Sequence, residues 1–353
     1  MSTKQFDVLI IGAGLTGLAL NYYLRKSGLN VHVLEARNRL GGRVYTNYAP
    51  NLSPIEYGAT WFGKKHQLLV SLLNQLDLEF VVQELGETAI YEHISTSPHQ
   101  IVQLPQSNEP SYRILGGSHL LIDALVKSKE QSVSLNQTVQ SVEILSGSVL
   151  VKTQTQEFQA SRVVFTLPPN LLASAIQFRP SLPDGLLALC KQTHTWMGES
   201  IKFGLRYSAP FWKEGNLSGT LMSNVGPIQE MYDHSHGEHF GLKGFLNGSY
   251  HSISKKERES LILNQLQKYY GKKVLEHLEY LEYVWSNDAY TYASYDEAPF
   301  PHQNNGHEGF HEGLFSNKLF IAGSETAPQH PGYMEGAVSS AQLIFQKLQS
   351  ILF

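Results

Sequence analysis

The run GAGLTG sets Gly12, Gly14 and Gly17 at G-x-G-x-x-G spacing, and Glu35 follows 18 positions after the third glycine. Each part of that set has a chemical use. The first glycine permits a tight turn, the second lets backbone N–H groups approach a pyrophosphate, and the third lets a helix pack closely on a sheet. A helix starting there presents unpaired N–H groups and the positive end of its dipole to phosphate. The carboxylate of Glu35 can accept hydrogen bonds from a ribose diol. A second set is cationic and aromatic: Lys202 in IKFGLRY, Tyr333 in PGYMEG, and the three rings of WSNDAYTY, Trp285 to Tyr292. Such rings can wall a flat ligand or merely pack a strand. A third set, DHSHGEH from Asp233 to His239, invites a metal reading. Its spacing matches no established site and it falls between two strand patterns, so a solvated hairpin tip with no metal is expected for His234, His236 and His239. His302, His307 and His311 lie in a Gly/Asn-rich loop and are read the same way.

The elements that must hold these residues can be traced along the chain. Asp7 to Ile11 is a short apolar run, as in a buried parallel strand. Leu15 to Lys26 carries apolar residues at helical spacing, Gly28 is its expected C-cap, and VHVLE is the next strand. This is a βαβ unit, and it places the glycines where strand turns into helix. A helix is expected near Gln67 to Gln75, an irregular region to about Ser111, and a helix in GGSHLLIDALVKSK. A meander of strands then ends at Pro168 and Pro169. Strand patterns continue through IKFGLRY and MYDHS…GLKGFLNGSY, a helix covers Lys255 to Tyr270, and KLFIAG with a helix from about Met334 to Gln349 closes the chain. A strand and helix at each end imply that the first domain is completed by the C-terminus.

The 353 residues suffice for two domains, and 42% hydrophobic against 16% charged residues describe an ordinary globular chain. A net charge of -4 argues against nucleic acid as a partner. No apolar run is long enough to span a bilayer, and no signal segment precedes the first strand. The single cysteine, Cys190, excludes an intrachain disulfide and fits a cytoplasmic protein.

The fingerprint alone does not separate NAD from FAD. Its continuation, EARNRLGGR from Glu35 to Arg43, resembles the E-x-x-x-x-x-G-G-R extension of flavoproteins of the amine oxidase family. Further segments, in order, resemble the same family: EYGATWFG, YRILGGSHLLIDAL, RVVFTLPPNLLASAIQFRPSLP, MGESIKFGLRYSAPFW and LFIAGSETAPQHPGYMEGAV. The resemblance covers most of the chain. It implies an α/β fold, with a Rossmann-like FAD-binding domain assembled from discontinuous segments (1–70, 112–190 and 284–353) and an inserted α+β substrate domain (71–111 and 191–283). The 71–111 piece is short for the family, which implies a reduced cover over the substrate cavity or one supplied by a partner chain in a homo-oligomer.

The resemblance also assigns roles. Beyond Gly12, Gly14, Gly17 and Glu35, the FAD contacts would be Ala36, Arg37, Gly42, Arg43, Gly58, Ala59, Thr60, Val139 at the adenine, Gly323, Ser324, Glu325, Met334 and Ala337. The helix from Met334 would aim its N-terminus at the flavin edge where negative charge grows on reduction. Lys202 would contact flavin N5 through a water and assist dioxygen. Tyr290 and Tyr333 would stand face to face as a cage for a neutral amine, and the role of His330 stays open. Relatives that bond their flavin use a cysteine just before the second tyrosine; Ala289 holds that place here, so non-covalent FAD is expected. The implied reaction passes a hydride from the carbon beside the amine nitrogen to the flavin, with dioxygen reduced to hydrogen peroxide. Two alternatives are a flavin dehydrogenase or desaturase acting on a non-amine substrate, and an FAD-binding protein without catalysis.

Overall fold

The strand Lys4–Ile11 lies between two parallel neighbours, Val31–Leu34 and Glu157–Phe165. Side chains alternate across a strand, and here both faces are covered. Val8 and Ile10 enter one apolar core with the helices, while Leu9 and Ile11 enter another on the opposite face. That is why the segment reads as a continuous apolar run rather than an alternating one. The computed structural model describes residues 4–127 and 132–352. The expected helix GGSHLLIDALVKSK is seen as His119–Val126, and its Ser128 and Lys129 lie outside the described residues.

The larger sheet runs Val133–Ser134, Val31–Leu34, Lys4–Ile11, Glu157–Phe165, Val149–Thr153, Val139–Ile144, Gln177–Arg179, with Leu319–Ile321 parallel to the end of Glu157–Phe165. On one face the fingerprint helix, Leu15–Leu24, packs against the closing helix, Met334–Leu352. The fingerprint helix stops at Leu24 rather than Lys26. Gly28, at φ +76°, sits in the turn beyond, where the Ser27 hydroxyl donates to the Leu24 carbonyl.

A second sheet runs Glu279–Val284, Ile201–Tyr207, Phe240–Leu246, Ile228–Asp233, Leu221–Ser223, Thr88–Glu92, Gln100–Gln103. Ile201, Phe203, Leu205 and Tyr207 point into a core shared with the helix Lys255–Tyr270, whose start is a capping box of Ser254 and Glu257. The other face turns toward the two-stranded sheet of Thr46–Asn47 and Ile55–Glu56. Gly204 lets this face approach: a Cβ there would stand 2.4 Å from Ile55. Arg206, with no exposed surface, donates from Nε to the Ser53 carbonyl at 2.8 Å and ties the second sheet to the loop joining those two short strands. Lys202 is buried on this inward face. The region expected to be irregular up to Ser111 contains three strands, Phe80–Val82, Thr88–Glu92 and Gln100–Gln103. Among the described residues no helix is long and apolar enough to cross a membrane.

Candidate active site

A single cavity of about 370 Å³ runs from the fingerprint glycines to the inward face of the second sheet. Gly12, Gly14, Glu35, Arg37, Gly42 and Arg43 line one end; Gly58, Ala59, Thr60, Lys202, Tyr333, Met334 and Ala337 line the other, with Ser324 and Tyr290 also on its wall. Gly17, Ala36, Val139, Gly323 and Glu325 do not line it. Gly17 is required for packing instead, since a Cβ would lie 2.0 Å from the Gly12 carbonyl oxygen.

The fingerprint end fits a dinucleotide. A Cβ at Gly14 would meet nothing within 4 Å, so the absence of a side chain there clears space in the cavity. The helix that begins after it has no side-chain cap and no acidic residue in its first turn. Its first N–H groups and its dipole are therefore left for an anion. Gly42, at φ +57°, brings the following loop against the Gly14 Cα. Glu35 is fixed as a ribose acceptor would need to be: its Oε2 accepts the Ala13 N–H at 2.8 Å and its Oε1 accepts the Arg37 N–H at 2.9 Å.

Arg43 and Glu325 form a partnership the sequence did not suggest. Arg43 Nη2 donates to Glu325 Oε2 at 2.8 Å and to Ser324 Oγ at 3.1 Å, and Nη1 donates to the Trp196 carbonyl at 3.0 Å. Burial alone would raise the Glu325 carboxyl, but the Arg43 guanidinium holds it below the ordinary range. Glu325, fully buried, thus acts through Arg43 rather than on a ligand, which corrects its expected place in the cofactor contacts.

Lys202 donates to the Gly58 carbonyl and lies 4.6 Å from the Phe245 ring centroid. Burial lowers its pKa to about 8, with Glu56 partly opposing the shift. A second lysine, Lys243, is buried beside it, donating to Thr60 Oγ1 at 2.6 Å and lying over the Trp61 ring. Trp285 fixes the same wall, its indole N–H reaching the Tyr57 carbonyl at 2.7 Å.

The tyrosine pair is not formed. The Tyr290 hydroxyl is 3.3 Å from Thr138 Oγ1 and its ring lies 5.5 Å from the Arg37 guanidinium, which puts it at the Glu35 end. Asp288 determines this placement: it accepts from Arg37 Nη2 at 2.6 Å and from the Tyr290 N–H at 3.0 Å, folding WSNDAYTY onto the fingerprint loop. The ring beside Tyr333 is instead Trp196, 5.9 Å between centroids, and His302 stacks on Trp196 at 3.8 Å. His302 therefore belongs to the aromatic wall and not to a solvated loop. Sequence reasoning passed over Trp196, although its partner Gly332 was in view; a Cβ at Gly332 would stand 2.8 Å from the Trp196 side chain. On the other side His66 meets His330 at 4.8 Å, and burial with the neighbouring His330 lowers its pKa to about 4.

His234 also departs from expectation. It is 2% exposed, with neither ring nitrogen hydrogen-bonded, although its strand does turn back in the expected hairpin. No group of three or more His, Cys, Asp or Glu suited to a metal occurs among the described residues.

A glycine cradle feeding one cavity, closed at its far end by a lysine-bearing sheet, defines a Rossmann-like α/β oxidoreductase. The family model for flavin containing amine oxidoreductases matches residues 91–344, and that for NAD(P)-binding Rossmann-like domains matches residues 10–76. The protein belongs to the flavin containing amine oxidoreductase family. It is 24% identical to the probable flavin-containing monoamine oxidase A of Dictyostelium discoideum, over 100% of this chain and 99% of that protein. That alignment spans 459 positions against 353 residues here, so the relative carries a substantial stretch without counterpart. The chain is also 23% identical to flavin-containing amine oxidase B of Cavia porcellus, over 96% of this chain and 85% of the relative. In fold it matches a putrescine oxidase solved with putrescine bound (TM-score 0.85, 22% identity, 99% of this chain, 100% of that one). It likewise matches cyclohexylamine oxidase from Brevibacterium oxydans (TM-score 0.86, 20% identity, 98% of this chain, 99% of that one).

Proposed function

We propose that this protein oxidises an amine with non-covalently held FAD and passes the electrons to dioxygen, releasing hydrogen peroxide. The observation that carries the reading is the continuity of one cavity from Gly14 and Glu35 to Lys202 and Tyr333. When bound, FAD supplies a two-electron acceptor for the C–H bond beside the amine nitrogen. The fingerprint helix N-terminus and Arg43 would hold the pyrophosphate, Glu35 the ribose, and the N-terminus of Met334–Leu352 the flavin edge. Val139 is retained as the backbone partner of adenine. Trp196 and Tyr333 would flank the substrate and exclude water, and the low proton affinity of His66 keeps that wall uncharged. Lys202 would place a cation where negative charge develops on dioxygen.

The same proposal divides the chain into an FAD domain of residues 1–70, 112–190 and 284–353 and a substrate domain of 71–111 and 191–283. Every strand of the larger sheet falls in the first set, and the strands of the second sheet fall in the other, save the boundary residue Val284. A cytoplasmic location is part of the proposal and rests on the single cysteine. Cys190 is buried in the core away from the cavity, which supports a flavin without a thioether link.

An anaerobic screen of mono-, di- and polyamines and amino acids tests the reaction: an amine should bleach the flavin, and air should restore its colour with peroxide formed. Bleaching by none of them would sink the amine reading. Acid precipitation should release the flavin to the supernatant, whereas flavin held in the pellet would refute non-covalent binding.

A further inference from the structure

Lys243 is a buried amine to which the proposed reaction gives no task. It stands on the strand Phe240–Leu246 opposite Gly204, and Phe245, two residues on, stands opposite Lys202. The two lysines are therefore diagonal neighbours on the inward face of the second sheet, with Cβ atoms about 7 Å apart. Hydrogen bonds join their head groups. Lys243 Nζ donates to Thr60 Oγ1 at 2.6 Å, the Thr60 hydroxyl donates to the Gly58 carbonyl at 3.3 Å, and Lys202 donates to the same carbonyl. Thr60 and Trp61 line the cavity and Lys243 does not, so Lys243 meets the cavity through the Thr60 hydroxyl.

One buried carboxylate serves both amines. Glu56, 2% exposed, attracts Lys202 and Lys243 while its oxygens already accept the Ser118 N–H at 2.6 Å and the Thr46 hydroxyl at 2.8 Å. Arg113, on Tyr112–Ile114, adds a further cation. Glu230, diagonal to Lys243 on the next strand, is exposed, so water screens its charge. Tyr232, opposite Lys243, and the buried His234 supply no negative charge: burial raises the pKa of the first and lowers that of the second. Burial, with Lys202 adding repulsion, holds Lys243 well below the ordinary lysine range. A negative charge arriving in the cavity works against this, because an opposite charge favours the protonated amine. The ammonium so formed lies 4.2 Å from the Trp61 ring centroid, over the face of the ring.

We propose that Lys243 is the proton store of this site: uncharged while the bound flavin is oxidised, it takes up one proton as two electrons enter the flavin and returns it through Thr60 as they leave. The inference rests on the flavin oxidase reading and deepens it. One hydride equivalent passes from the amine carbon to the flavin, and Lys243 takes its proton from solvent. Dioxygen then receives the hydride equivalent together with the Lys243 proton, giving hydrogen peroxide. The direction of the hydrogen bond suits the return, since Lys243 donates to Thr60 Oγ1 while the Thr60 hydroxyl is free to turn its own proton toward the cavity. Lys202 stays charged in both states and contributes field rather than a proton.

The test measures the flavin midpoint potential of the holoenzyme around pH 7, where Lys202, with a pKa of about 8, is already charged. The fall of that potential with pH reports the protons taken up with each electron pair. Wild type should show the slope of about two protons per pair, and Lys243→Met about half that slope. Lys243→Arg keeps a charge but holds its proton at every working pH, so its slope should match that of the methionine variant. Equal flavin content and Tm establish that the variants are folded, and Lys243→Gln replaces the methionine variant where it is not. Equal slopes in wild type and Lys243→Met, or the wild-type slope kept by Lys243→Arg, would overturn the proposal. A lysine that merely held Thr60 in place would move the potential equally at each pH and leave the slope unchanged. An electrode supplies the electrons, so a failed amine screen leaves the slopes readable, and unchanged slopes leave the amine reading standing.

Discussion

Lys202 is a cation that the fold has largely stripped of water, and that determines how it should respond to pH. Its folded pKa of about 8 lies below the ordinary lysine value of about 10.4, so folding favours the neutral amine. The cost of burying the charge is present in full below about pH 8 and disappears as pH rises past the unfolded value. A reoxidation step that needs the charge should therefore slow as pH climbs through 8. Lys202→Met should remove that pH dependence and slow reoxidation about 100-fold, the effect of losing one preorganised donor at a developing negative charge, with flavin reduction much less affected. Stopped-flow measurement of the two half-reactions checks this, and equal effects on both would sink the assigned role. The lysine itself was legible through the resemblance of MGESIKFGLRYSAPFW to the family, since strand alternation placed it opposite Ile201 and Phe203 but fits a solvent-facing lysine equally well. The partner of Tyr333 was not, because Asp288 turns the aromatic run toward Arg37 through contacts between residues about 250 positions apart in sequence. Trp196→Ala should accordingly raise KM for the amine with flavin retained. Tyr290→Ala should weaken flavin retention and leave the amine KM unchanged; the reverse pattern would restore the tyrosine cage.

At the scale of elements, the closing helix both carries site residues and secures its neighbour. Glu335, one residue after Met334, accepts the N–H groups of Leu68 and Leu69 at 3.1 and 2.8 Å, capping the helix Gln67–Gln75 from across the chain. His66, at the start of that helix, is thereby held against His330 and near Tyr333. Glu335→Ala should lower stability by about 1–2 kcal/mol, as for loss of a helix cap, read as a fall in the denaturation midpoint. A change near zero would show that water replaces the carboxylate. The fingerprint unit was legible because its glycines mark where an apolar strand turns into a helix, and the closing helix because its apolar residues recur on one face. Two of the strands between Phe80 and Gln103 were not: Phe80–Val82 is never fully buried, and Gln100–Gln103 is an almost wholly exposed edge. Hydrophobic periodicity has nothing to register where no face is buried.

Across the whole molecule, one ion pair joins three distant parts of the chain at the cavity. Arg43 comes from the fingerprint loop, Glu325 follows the strand Leu319–Ile321, and Trp196, whose N–H donates to Glu325 Oε1 at 3.2 Å, precedes the lysine strand. Because Arg43 keeps the Glu325 pKa depressed, the pair's contribution to stability is complete above the unfolded carboxyl value of about 4.3 and is lost as pH falls through the lower folded value. Acid should therefore loosen the cavity and release flavin. Glu325→Gln should weaken the pair already at neutral pH, costing about 3–5 kcal/mol, the range for breaking a buried ion pair. Bound FAD stabilises only the folded state, by about 2.7 kcal/mol when present at 100 times its Kd, so excess flavin should recover part of the lost Tm. Flavin fluorescence followed during acid titration measures both effects. Wild type should release its cofactor only at acid pH, while Glu325→Gln should release it near neutrality; the same release profile in both would mean that Arg43 holds its position without Glu325.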